Sequence, residues 1–169
     1  PLRMARRIPA DDGSYRRKPD FLLDRPAQVV SLCEGDPSKR HLVWQGKEDL
    51  GALLFLRMNG GQNELELYAA VTDDRHVQPE TGTNIWMGDS IQFALSIPGQ
   101  SGPWKIGLAR LADGKPQVFV WEAPAGFQTE QAARGIRLTS HRDDKKHTTA
   151  YRAKLSFDAF GLTQQKLRD

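Results

Sequence analysis

Trp86 is the side chain in this sequence best placed for recognition chemistry, because it stands between two stretches that each alternate with the period of a strand. To its left Leu65, Leu67, Ala69 and Val71 alternate with Glu66, Tyr68 and Ala70; to its right Ile91, Phe93, Leu95 and Ile97 alternate with Gln92, Ala94 and Ser96. A period of two gives a strand one buried and one open face. The segment between is rich in Asp, Gly, Thr and Asn and reads as a long loop that delivers Trp86 to the entrance of the second strand. Binding residues concentrate on loops carried by a rigid sheet. An indole at such a strand entrance is suited to stacking on a ligand. The same loop gathers Asp73, Asp74, His76 and Glu80, oxygen and imidazole groups of the kind that hold Ca²⁺, with Asp73 and Asp74 as the metal candidates; their spacing matches no EF-hand loop. Asp89, between Gly88 and Ser90, is suited to organising the loop by accepting backbone N–H groups.

Catalytic chemistry finds little to work with. The sequence contains no G-x-S-x-G elbow, no P-loop and no G-x-G-x-x-G turn. A glycosidase pair would have to be drawn from carboxylates such as Glu64, Glu66, Asp73 and Asp89, whose separations a sequence does not give. His41, His76, His141 and His147 are scattered without a zinc spacing, and Cys33 is the one cysteine, so neither an intramolecular disulfide nor a Cys-based zinc site can form. The domain itself is therefore expected to be non-catalytic.

The stretch around Trp86 resembles carbohydrate-binding module family 9, a group of β-sandwiches related to the wider DOMON-like superfamily. In that family a strand ending in a V-x-D acid pair leads through a variable loop into W-x-x-D-S-[VI]-[EQ]-[IF]. Here Val71-Thr72-Asp73-Asp74 leads into Trp86-Met87-Gly88-Asp89-Ser90-Ile91-Gln92-Phe93. Tyr151-Arg152-Ala153-Lys154-Leu155-Ser156-Phe157 is similar to the family's Y-x-A-x-I-P-[WF] strand, and Leu53 to Tyr68 matches its strand, turn and L-Y strand, so the likeness covers roughly residues 50 to 160. The resemblance implies a non-catalytic module that binds a polysaccharide or oligosaccharide of plant type or related to it. Such a module works within a larger carbohydrate-active or cell-envelope protein and raises the local concentration of an attached catalytic domain on its substrate. It implies an extracellular or cell-envelope location, and no cofactor beyond a structural calcium.

By the same resemblance Trp86 stacks on the sugar, with Gln92, Lys105 and Asp89 around it; Gln92 falls where the family bonds sugar hydroxyls, Lys105 where it carries a basic contact. A second Trp near the family's C-terminus completes an aromatic sandwich. This chain has no matching residue, so the second face would come from Trp104 or Trp121. Two alternatives stand beside sugar binding. One is an interaction or scaffold β-sandwich that has lost its ligand. The other is a haem-binding DOMON-type domain, for which Met58, Met87 and the histidines supply ligand atoms without a diagnostic spacing.

The elements that must position these residues are short and numerous. About nine strand-like runs recur between turn signals, at residues 28–33, 41–45, 52–58, 64–71, 90–97, 104–110, 117–122, 136–140 and 148–156. Turns fall at 59–63, 98–103 and 113–116, each with Gly, Pro or Asn at places that need positive or fixed φ. Helical turns are expected only at 129–134 and at 156–162, the latter capped by Ser156 and ended by Gly161. The pattern predicts an all-β, antiparallel sandwich of jelly-roll or immunoglobulin-like, DOMON-like type with about nine or more strands.

At 169 residues the chain is of single-domain size, with 1–24 read as a basic arm or linker and 25–169 as the sandwich, cut short at its C-terminus relative to the family. A formal charge of +3, much of whose excess lies in the first eighteen residues, supplies no basic face for nucleic acid. No run approaches the roughly 18 apolar residues of a membrane helix. The N-terminus lacks the apolar run of a signal peptide, and a start at Pro1 fits an excised or processed piece.

Overall fold

A computed structural model of the chain describes residues 18–25, 28 and 44–162. Of the runs at 28–33 and 41–45 only residues 28, 44 and 45 are among those described, and 1–17 and 163–169 lie outside them. Eight strands are described: β1 (Phe21–Leu23), β2 (Leu50–Asn59), β3 (Glu64–Asp73), β4 (Ser90–Leu95), β5 (Trp104–Arg110), β6 (Pro116–Glu122), β7 (Ile136–Asp143) and β8 (Thr148–Ser156). One short helix, α1 (Thr129–Arg134), and 3-10 turns at Gly82–Met87 and Asp158–Phe160 complete the order. β1 lies within the segment read as an arm. It pairs with β2, setting Phe21 opposite Leu54, Leu22 opposite Leu53 and Leu23 opposite Ala52.

All pairings are antiparallel. They build a five-stranded sheet in the order β1-β2-β3-β8-β7 and a three-stranded sheet in the order β4-β5-β6. The two share one core, which is what makes the molecule sandwich-like: Leu65, Leu67 and Ala69 of β3 and Tyr151, Ala153 and Leu155 of β8 pack with Trp104, Ile106 and Leu108 of β5. Every second residue along these three strands belongs to that core, as the period of two requires.

The turns follow their chemistry. Asn63 closes the β2–β3 turn at φ 52, Gly99 and Gly114 take φ 80 and φ 84 in the β4–β5 and β5–β6 connections, and Gly161 ends the last 3-10 turn in the left-handed region at φ 62. That turn begins later than expected, with Phe157 at its N-cap and no side-chain cap. Among the described residues no helix is long and apolar enough to cross a membrane.

Candidate functional site

β5 sets the geometry. Trp104, Ile106 and Leu108 are fully buried on the core side, so Lys105, Gly107 and Ala109 must face the other way. On β6, Val120 pairs with Ile106 and Phe119 with Gly107, so Phe119 and Trp121 point outward by alternation. The next pair is Lys105 with Glu122, which leaves Trp121 as the extra residue of a β-bulge. The bulge therefore brings Glu122 to the same outer face as Trp121. The Trp121 ring lies over Gly107: a Cβ placed there would meet the indole Cη2 at 2.2 Å and Cζ3 at 2.6 Å. Only a glycine leaves the ring room to settle on the strand.

The loop from β3 to β4 folds over the same outer face. Ile85, fully buried, approaches Gly107 with its Cδ1. Three bonds tie the Gly82–Met87 turn to the sheet: the Gly82 amide donates to Gln117 Oε1 at 2.9 Å, Trp121 Nε1 donates to the Thr83 carbonyl at 2.9 Å, and Gln92 Nε2 donates to the Trp86 carbonyl at 3.4 Å. Trp86 is thereby held with 55% of its surface exposed. Trp86, Trp121, Gln92, Lys105 and Glu122 line one cleft of about 530 Å³. Lys105 Nζ pairs with Glu122 Oε1 at 2.6 Å.

Of the residues expected around Trp86, Gln92 and Lys105 thus share its cleft. Asp89 stands apart from it. Its carboxylate accepts from the Val77 amide and lies 3.4 Å from His76 Nδ1, while its own amide donates to the Val77 carbonyl at 2.9 Å. Trp104, one of two candidates for a second stacking face, is wholly buried against Phe127 and Phe160, with ring centroids 5.1 Å and 4.7 Å away. Trp121 is the one that reaches the cleft.

Two contributors escaped the sequence reading. Gln78, only 3% exposed, donates from Nε2 to the carbonyls of Ile85 and Asp89 at 2.9 Å and 3.0 Å and accepts the Glu80 amide at 3.2 Å, which staples the loop from within. Glu122 joins the cleft only because the bulge brings it out. Neither left a signal in the sequence alone, because each role depends on which strand or carbonyl the fold brings alongside.

Asp73 is the last residue of β3, and Asp74 follows it. Asp73 Oδ1 accepts the Arg75 amide at 3.0 Å. Burial pushes its carboxyl above the ordinary value, and the neighbouring Asp89 adds to the rise through charge and a hydrogen bond. Asp74 offers its carbonyl to His147 Nδ1 at 3.2 Å. Among the described residues no group of three or more His, Cys, Asp or Glu side chains is arranged to hold a metal ion. The phenol of Tyr151, in the small hollow beside Asp73 and Asp89, is pushed up to about 12 by burial and by Asp89.

The other carboxylates divide by position. Glu64 and Glu66 sit at the opposite end of β3 from Asp73; Glu64 pairs with Arg137 and, at 3.8 Å, with Lys154, which lies 3.6 Å from Glu66. Met58 packs against the core and Met87 is exposed.

A larger hollow, about 690 Å³, lies on the outer face of the five-stranded sheet among Leu22, Lys47, Tyr68, His141 and others. Apart from the His141 imidazole, its one aromatic ring among the described lining residues is Tyr68, itself only 3% exposed. With no open indole or phenyl ring to stack on, it lacks what distinguishes the smaller cleft.

Comparison of the chain with protein-family models, with curated proteins and with solved structures gives no match. Fold and cleft together define a two-sheet antiparallel β protein with an aromatic-lined groove on the outer face of its smaller sheet.

Proposed function

We propose that the chain is a non-catalytic carbohydrate-binding domain with a DOMON-like, jelly-roll type of sandwich, and that Trp86 and Trp121 are its stacking residues. The observation that carries this reading is the convergence of two indoles on one cleft from two different elements, a loop turn and a bulged strand. Aromatic faces supply the apolar contact a pyranose offers, and Gln92, Lys105 and Glu122 supply donors and acceptors at the rim. Asp89 serves the site at one remove, by shaping the loop that presents Trp86. In this proposal the domain works inside a larger carbohydrate-active or cell-envelope protein outside the cell. It needs no cofactor for binding, and a structural calcium at Asp73 and Asp74 would act on the loop alone.

The test is intrinsic Trp fluorescence of the wild type, Trp86→Ala and Trp121→Ala during titration with neutral oligosaccharides, with and without calcium. Saturable quenching in the wild type that is lost in both variants is the expected result. Folded protein that responds to no saccharide would refute the reading and leave an interaction scaffold in its place.

A further inference from the structure

Lys105 and Glu122 face each other across β5 and β6 at the rim of the Trp86–Trp121 cleft, with Nζ 2.6 Å from Oε1 and each side chain 52% exposed. No other described residue lining the cleft is ionisable. A half-exposed pair of this kind contributes little to folding. It does keep spare hydrogen-bonding capacity, because an ammonium has three donors and a carboxylate two accepting oxygens, and here one contact joins them.

We infer that Lys105 and Glu122 together select a neutral sugar presenting a vicinal diol, and that Glu122 is the residue that keeps acidic sugars out. This rests on the carbohydrate reading of the cleft. Hydroxyls on adjacent ring carbons lie at about hydrogen-bond spacing, comparable to the separation of Nζ and Oε1. One hydroxyl can therefore accept from the ammonium while its neighbour donates to the carboxylate, with the ring resting on Trp121. A uronic acid or sulfated sugar meets the opposite situation. Its anion must compete with Glu122 for Lys105 and lie beside a like charge, an arrangement that rejects a wrong ligand by repulsion as much as by missing contacts. The bulge at Trp121 is what makes this possible, since it sets the stacking ring and the carboxylate on the same face in consecutive positions.

The experiment is fluorescence titration of the wild type, Glu122→Gln and Lys105→Met with methyl β-glucoside and methyl β-glucuronide, and with neutral xylo-oligosaccharides and acidic galacturono-oligosaccharides. Both positions are half exposed, and thermal melting checks that the variants fold. Wild type should favour the neutral member of each pair by about tenfold, the size of one charge-assisted bond gained or lost. In Glu122→Gln that preference should disappear or reverse, with acidic-sugar binding that weakens as NaCl is raised. Lys105→Met should weaken neutral binding and gain nothing for the acidic ligands. A wild type that favours the acidic sugars, or a Glu122→Gln variant with the wild-type ratio, overturns the inference while Trp121-dependent sugar binding stands. Absence of any saccharide response in the wild type overturns the carbohydrate reading and this inference with it.

Discussion

On β5, Trp104, Ile106 and Leu108 point into the core with no exposed surface, whereas Lys105, Gly107 and Ala109, one residue out of step, point to the opposite face. The same strand therefore seals the core with one face and, at Lys105, opens the other to the cleft. The inner side excludes water with bulk: Trp104 meets the rings of Phe127 and Phe160, and its Nε1 donates to Gln100 Oε1 at 2.8 Å, so even its polar atom is satisfied. The outer side works by the absence of bulk. Gly107 leaves room for one indole to lie on the backbone, and a loop stapled by hydrogen bonds holds the other at the rim. Two tryptophans on neighbouring strands of one sheet, Trp104 and Trp121, thus have different surroundings, one sealed in the core and one lining the cleft proposed to bind, and substitutions that separate stability from binding will test that difference.

The largest effect belongs to the inner face. Trp104→Ala should cost about 3–5 kcal/mol in chemical denaturation, the usual range for emptying a buried aromatic site. A loss well under that would mean the core does not depend on this ring, and the contrast between the faces would fail. Trp121→Ala in the same assay should change stability far less.

Gln78→Ala comes next. Its side-chain amide serves the carbonyls of Ile85 and Asp89 inside the loop, and leaving such buried acceptors unpaired costs roughly 1–3 kcal/mol. Because that loop presents Trp86, saccharide quenching should be lost along with the stability. Retained binding would show that Trp86 is positioned by the sheet contacts alone.

Gly107→Ala acts on the outer face directly. The added methyl would stand 2.2 Å from the Trp121 ring and 3.0 Å from Ile85 Cδ1, so the ring must lift or the strand must bend. Overpacking of this kind costs about 1–3 kcal/mol. Binding should fall as much as in Trp121→Ala, with altered Trp emission in the free protein. A Gly107→Ala variant that binds normally would mean the seat under Trp121 is unnecessary.

Much of the strand layout was legible in the sequence because alternation is a local property. Leu65, Leu67 and Ala69, or Ile91, Phe93 and Leu95, announce their faces without reference to the rest of the chain. So did the entrance position of Trp86 and the face shared by Gln92 with Ser90, whose Oγ accepts from Gln92 Nε2 at 3.2 Å. What was not legible depends on pairing. Val118, Phe119, Val120 and Trp121 are apolar at every position, so alternation marks no inner face there until β5 supplies the partners. Trp104 and Trp121 stood as equal candidates for that reason, and the skipped partner that turns Glu122 outward left no local mark at all. The role of Gln78 was hidden because a glutamine in a polar loop gives no sign of which carbonyls the fold will bring to it. Asp89 is the reverse case: its neighbours Gly88 and Ser90 pointed to loop organisation, while the motif pointed to the ligand, and the bonds it makes are those of the loop.

The smallest effect should come from Asp73, at the base of that loop and away from the cleft. Burial holds its carboxyl above the ordinary value of 3.8, and Asp89 raises it further. The folded state therefore holds this proton more tightly than the unfolded chain does. The stability it contributes is present in full below pH 3.8 and is lost as pH rises through the elevated folded-state value. At pH 7 the ionised group works against folding. Asp73→Asn keeps an oxygen for the Arg75 amide and offers Asp89 an N–H donor, so in metal-free buffer it should raise Tm at pH 7, by an amount worth less than about 1 kcal/mol. The gain should shrink as pH falls and vanish below pH 3.8, while saccharide binding stays at the wild-type level. A lower Tm at neutral pH would mean that the ionised carboxylate is stabilised in place, by Arg142 or by a cation, and that the loop is anchored by charge where burial now accounts for it.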